Sequence, residues 1–108
     1  MDIRTIFDAC HFSREKMQKI NLFATNELFL DLYCLEPGQK QKVHTHDTSS
    51  KIYVVLEGQA RFHIAGESEN AGPGQAVVAR AGEPHGVENE TTERVVLLVG
   101  MAPPPTHA

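Results

Sequence analysis

The stretch GQKQKVHTHDTSSKIYVVLEG, residues 38–58, decides how the rest of the chain is read. It holds His44 and His46 with one residue between them, and side chains at i and i+2 of a strand point to one face. Imidazole is a common ligand for transition metals, so such a pair offers two nitrogens to the same side. Ile52 to Leu56 is a dense strand-forming run, stopped at Glu57-Gly58. A second stretch, GQAVVARAGEPHGVEN at residues 74–89, places His85 directly after Pro84. A histidine from that later strand is positioned to complete a facial set of three nitrogens.

Outward from these stretches the chain reads as short strands between glycine and proline turns. Leu28, Leu30, Leu32 and Cys34 alternate with Glu27, Phe29, Asp31 and Tyr33, a strand pattern with neither face fully polar. Val43 to His46 is a short strand, followed by a polar loop from Asp47 to Ser50. Ala60, Phe62 and Ile64 alternate with Gln59, Arg61 and His63 as a half-buried strand. Ala76 to Ala79 and Val95 to Val99 are further apolar strands, and Ala65-Gly66-Glu67 and Gly72-Pro73-Gly74 are turns. Many short strands at spacings of about ten residues indicate an all-β fold, an antiparallel sandwich or barrel. The one helical turn expected is Ser13 to Lys19, with Ser13 as its cap. With 108 residues the chain makes one domain: an N-terminal extension over 1–20, a core over 35–100, and a flexible proline-rich tail over 102–108.

The net charge of −4 and the scattered basic residues exclude nucleic acid and anionic membranes as partners. No apolar run approaches the ~20 residues that cross a bilayer, and Met1 to His11 has no signal-peptide core. A cytoplasmic setting is expected, with Cys10 and Cys34 as reduced, partly buried thiols. Of the other histidines, His11 and His107 read as solvated, and His63 points outward with Gln59 and Arg61.

The spacing of the two stretches resembles the paired motifs of the cupin superfamily, in its small single-domain form. Gly38, His44, His46 and Gly58 stand where the first cupin motif has them, and Gly74, Gly82, His85 and Asn89 match the second. There are two departures. Lys51 occupies the position of the usual glutamate ligand, and Arg80 that of a proline. The resemblance implies a jelly-roll barrel of two antiparallel sheets, with His44, His46 and His85 converging on one divalent transition-metal ion (Fe, Mn, Ni, Cu or Zn). Gly58 then turns a barrel corner, Pro84 sets the approach of His85, and Asn89 ties the end of its strand by side-chain to backbone bonding.

Lys51 changes the local charge by two units relative to glutamate. Two unit charges ~4 Å apart at an effective dielectric of ~20 interact by about 4 kcal/mol, and a divalent ion doubles that. A protonated Lys51 therefore cannot sit against the ion uncompensated. Four outcomes follow. Lys51 swings away and leaves a three-histidine site; it stays close and neutral; it stays charged and recruits an anion; or the site binds no metal.

Three functions from different classes fit the chain. The first is a metalloenzyme (a dioxygenase-like oxidoreductase, an isomerase or a decarboxylase) acting on a small acidic or keto compound, with Lys51 as the anion contact. Tyr53, Val55, Phe62, Val78 and Met101 are the candidate pocket lining. The second is a non-catalytic module that binds a small molecule or anion, without metal because of Lys51. The third is an interaction protein with a vestigial site. A homodimer is expected, formed through edge strands or the N-terminal lead.

Overall fold

The computed structural model describes residues 1–105; the end of the expected tail, with His107, lies outside the described residues. Among the described residues, nine strands follow a single 3-10 turn at Ile6–Ala9. They are β1 Gln18–Ala24, β2 Phe29–Leu35, β3 Lys40–His44, β4 Ser50–Glu57, β5 Ala60–Ile64, β6 Glu67–Ala71, β7 Ala76–Ala79, β8 His85–Glu88 and β9 Val95–Ala102. They form two sheets, β1-β2-β9-β4-β7 and β3-β8-β5-β6, and every pairing is antiparallel. This is the expected all-β jelly roll.

Strand alternation sends one set of side chains between the sheets. Tyr33 and Leu35 of β2, Tyr53 and Val55 of β4, Phe62 of β5, Val87 of β8 and Val95, Leu97 and Val99 of β9 make the main core. The opposite face of the five-stranded sheet is apolar too. Leu22, Leu32, Cys34 and Val96 are buried there beneath Ile6, Ala9, Cys10 and Phe12 of the N-terminal segment. That cover explains why neither face of β2 is polar in sequence: both faces are packed. The Arg94 guanidinium holds the segment down, stacking 4.3 Å from the Phe12 ring centroid while its Nε donates to Glu36 at 2.9 Å. Both cysteines are free thiols, and burial pushes that of Cys34 up to about 11.

The helical turn is displaced from its expected place. Ser13 to Lys19 is not helical; the Ser13 hydroxyl accepts from the Glu15 amide at 3.2 Å in a bend, and β1 begins at Gln18. The period-two pattern of Lys19, Ile20, Asn21 and Leu22 outweighs the local cap signal, because the strand seats Leu22 in the buried cluster with Leu32, Cys34 and Val96. The stretch expected as an N-terminal extension thus contributes the start of an edge strand.

Two glycines allow close backbone approaches, one at the β4–β5 corner and one beside the histidines. Gly58 has φ +77, and a Cβ there would lie 2.3 Å from the Arg94 carbonyl oxygen, so the β4–β5 corner needs both its free φ and its missing side chain. A Cβ on Gly86 would fall 2.9 Å from the Gln41 oxygen and the Val43 nitrogen, so β3 can lie against β8 beside His85 only because Gly86 is bare. Asn89 is buried and ties four groups together. Its Nδ2 donates to the carbonyls of Leu35 (3.2 Å) and Glu93 (2.7 Å), and its Oδ1 accepts from the Thr91 amide and hydroxyl.

Candidate metal centre

The site begins with the pairing of β3 and β8. Their register sets His44 directly opposite His85, after an irregularity between Gln41 and His44. Strand β3 ends at His44, so His46 reaches the cluster from the following loop rather than by strand periodicity. That loop is held by a backbone bond from the Gly82 amide to the His46 carbonyl at 2.9 Å. The His44 and His85 rings lie 4.3 Å apart, His44 and His46 4.9 Å, and His46 and His85 5.6 Å, centroid to centroid. One nitrogen from each ring falls within 4.8 Å of the others, close enough for all three to hold one ion.

Backbone carbonyls orient two of the rings. His44 Nδ1 lies 2.8 Å from the Lys42 oxygen, and His85 Nδ1 lies 2.9 Å from the Glu83 oxygen. Each Nδ1 is then the protonated nitrogen, which leaves Nε2 as the lone-pair donor, the arrangement that a backbone carbonyl on the other ring nitrogen imposes on metal-binding histidines. His85 is 1% exposed, and its Nε2 is buried with no hydrogen-bond partner. A buried acceptor left unpaired is costly, and an ion at the centre of the cluster would satisfy it. Burial pushes the His85 pKa down to about 4 and lowers that of His44, so both rings favour the neutral form that binds metal.

Lys51 faces the same cleft from β4 and is only 2% exposed. Its Nζ donates to Gln41 Oε1 at 3.1 Å and lies 5.1 Å and 5.0 Å from the ring centroids of Tyr33 and Tyr53. Gln41 Nε2 in turn approaches the Tyr33 hydroxyl at 3.5 Å. Lys51 is thus held in the cleft wall by Gln41 rather than reaching solvent. Burial first, and then the charge of Lys19, lower its pKa to about 7, while Asp31 acts in the opposite direction. The Tyr53 hydroxyl is buried without a partner, and burial raises its pKa.

The cleft over this cluster has a volume of about 530 Å³, within the range of small-molecule sites. Of the five residues expected to line it, Met101 does so. Tyr53, Val55 and Phe62 belong to the packed core, with the Tyr53 ring 6.5 Å from that of His85. Val78 is placed elsewhere. It pairs with Ile52, and both point off the outer face of the sheet, Val78 37% and Ile52 50% exposed. The inward residues of β7 are its neighbours Val77, packed against the core, and Ala79, which is buried. His63 lies apart from the cluster, bonded to Ser68 Oγ at 2.6 Å and Glu88 Oε1 at 2.9 Å. Sequence reasoning missed Lys19, Asp31, Tyr33 and Gln41 as parts of the cleft. The alternation of Asp31 and Tyr33 in β2 was visible, but their inward direction follows from pairing with β9 and from the cover over the other face.

Two antiparallel sheets closed around three converging imidazoles define a small β-barrel protein with a candidate metal centre. The chain belongs to the cupin family: the Cupin_2 family, cupin domain, matches residues 31–101. It is similar to the crystal structure of TT1209 from Thermus thermophilus, with 43% identity and a TM-score of 0.95 over 97% of this chain and 100% of that one. It also resembles an oxalate-binding protein of Thermotoga maritima, 32% identical over 78 residues, 71% of this chain and 59% of that protein. The uncharacterized protein MJ1618 of Methanocaldococcus jannaschii is 30% identical over 70 residues, 65% of this chain and 56% of that protein. The chain therefore matches a little over half the length of these two curated relatives. Among the described residues, no helix is long and apolar enough to cross a membrane.

Proposed function

We propose that this cupin holds one divalent transition-metal ion on His44, His46 and His85 and uses the site to bind or transform a small carboxylate or keto compound. The observation that carries the reading is His85 Nε2, buried and unpartnered within a cluster whose ligand atoms lie inside 4.8 Å. A divalent ion there would supply Lewis-acid polarisation of a ligand oxygen. The chain's own groups do the rest. Lys42 and Glu83 carbonyls keep two ring nitrogens pointed inward, Lys51 presents an ammonium donor to an anionic oxygen, and Tyr33 and Gln41 hold that donor in the pocket wall. A bound anion returns Lys51 to its charged form, since an opposite charge within ~4–6 Å favours ionisation. The similarity to an oxalate-binding protein supports a carboxylate as the ligand class.

A second reading, an anion-binding cupin without metal, is favoured by the lysine at the usual acidic position. Elemental analysis of protein purified without an affinity tag separates the two. The metal reading expects a stoichiometric ion in the wild type, lost in His46→Ala, and tighter retention of it in Lys51→Glu. A metal-free wild type alongside a metal-loaded Lys51→Glu would establish the second reading instead. Full metal occupancy in His46→Ala would refute the three-histidine centre.

A further inference from the structure

The N-terminal segment brings the chain's two cysteines together on the face of the five-stranded sheet away from the histidines. Cys34 of β2 is 0% exposed, in the apolar cluster with Leu22, Leu32 and Val96, and Cys10 packs against that cluster from the covering segment. The two thiols act on each other directly. After burial, the groups that bear most on Cys34 are the His11 backbone amide and the Cys10 side chain, two consecutive residues lying over its sulfur. Cys10 itself is only part-buried. The segment that carries it joins neither sheet. Its turn closes on itself, from the Cys10 amide to the Phe7 carbonyl at 3.2 Å. Side chains fasten it to the barrel: Arg4 donates to the Leu22 carbonyl at 3.2 Å, and Phe12 stacks on Arg94. A segment held in this way can adjust to the narrow geometry that a disulfide requires.

We propose that Cys10 and Cys34 are an oxidative modification site, where a hydroperoxide forms a reversible internal disulfide that pins the N-terminal segment to β2. The site stands independently of the metal reading. Cys10 is the thiol that a dissolved peroxide reaches, because Cys34 is closed off from solvent. In the first step the Cys10 sulfur attacks a peroxide oxygen. An S–O bond forms, the O–O bond breaks, and an alcohol (or water, from hydrogen peroxide) leaves with the thiol proton, so that Cys10 becomes a sulfenic acid. In the second step the Cys34 sulfur attacks that of Cys10. The S–S bond forms, the S–O bond breaks, and the hydroxyl leaves as water with the Cys34 proton. The sulfur pair loses two electrons and the peroxide gains them. Burial, which raises the Cys34 pKa, keeps this thiol inert toward outside reagents and leaves the sulfur above it as its partner. A small thiol restores the pair by exchange at the part-exposed Cys10 sulfur. Cys10 lies outside residues 31–101 that match the cupin family, so the pair is not a feature of the shared motifs.

The test treats the full-length, chelator-treated chain with hydrogen peroxide and then maps its peptides by mass spectrometry without reduction. The wild type should lose the mass of two hydrogens, yield a linked Cys10–Cys34 peptide within one chain, and regain its mass in dithiothreitol. Cys34→Ala should stop at the sulfenic acid, which dimedone traps on Cys10. Cys10→Ser should leave Cys34 labelled at least about tenfold less, as its burial requires. The urea midpoint of the wild type should rise on oxidation, because the bridge removes freedom from the unfolded chain, and that of Cys10→Ser should not move. The wild-type map decides the matter even where a variant folds poorly. Disulfides between chains in place of the internal one would overturn the proposal. So would stronger dimedone labelling of Cys34 than of Cys10, or two thiols still reduced after a peroxide dose that fully oxidises a small free thiol.

Discussion

Replacing Lys51 with methionine, a side chain of similar length without the charge, isolates the electrostatic cost of this lysine. Burial and Lys19 lower its folded pKa to about 7 from an ordinary 10.5. At 1.36 kcal/mol per unit, that difference of about 3.5 units corresponds to about 5 kcal/mol. With the side chain 2% exposed, solvent screening removes little of it. The sign follows from proton counting. Between pH 7 and 10.5 the unfolded chain keeps the Lys51 proton and the folded chain has released it, so the stability of the wild type rises with pH through that window. Below pH 7 both states are protonated, and the cost of burying the charge is carried in full. Methionine removes that cost but leaves Gln41 Oε1 without its donor, a pH-independent loss of about 1 kcal/mol. Urea unfolding of chelator-treated wild type and Lys51→Met at pH 6, 7.5, 9 and 10 measures the difference directly. The variant should be the more stable by several kcal/mol at pH 6, and the gap should close as pH approaches 10. A gap that stays constant within about 1 kcal/mol across that range would show that Lys51 is not desolvated as its surroundings imply.

The buried histidine acts at the acid end. With the His85 pKa pushed down to about 4 from 6.5, the unfolded chain takes up a proton that the folded chain refuses. The metal-free protein should therefore lose about 3 kcal/mol of stability as pH falls from 6.5 to 4, and His85→Gln should lack that part of the slope in acid unfolding curves. Gly58→Ala forces a Cβ to 2.3 Å from the Arg94 carbonyl at a positive φ, and should cost more than about 3 kcal/mol in urea unfolding; a loss under about 1 kcal/mol would mean the corner moves freely. Exposed Ile52 and Val78 on the outer face of β4 and β7 are offered as part of a homodimer contact. Size-exclusion with light scattering should then report a dimer at micromolar concentration, and a monomer there would rule the contact out.

Much of the fold was legible because period-two alternation and turn residues are local signals. Residues 50–64 illustrate it: the Ile52 to Leu56 run, the Glu57-Gly58 stop and the alternation from Ala60 to Ile64 correspond to β4, its corner and β5. The histidine set was legible through the resemblance of the two motifs to those of cupins, and His44, His46 and His85 do come together. The route differs in one respect, since His46 lies beyond the end of β3 and is held through its backbone to Gly82. The strand of His85 was expected but its bounds were not, because Gly86 interrupts the apolar pattern of β8, although that bare position is what admits β3. The helical turn was misplaced because a serine cap is a weak local preference that strand pairing overrides.

By itself the sequence determined the all-β class, the two motifs and the three imidazoles, since these depend on residue type and on distance along the chain. Only the tertiary structure decided what surrounds them. Lys51 points into the cleft rather than to solvent because β4 pairs with β9 and β7 in one register, and a slip of one residue would turn it outward. Lys19, Tyr33 and Gln41 come from three strands, and no local pattern records that β1 lies beside β2 or that β3 closes over β8. The charge balance of the pocket arises from those pairings, because electrostatic energy depends on separation in space and not on separation along the chain.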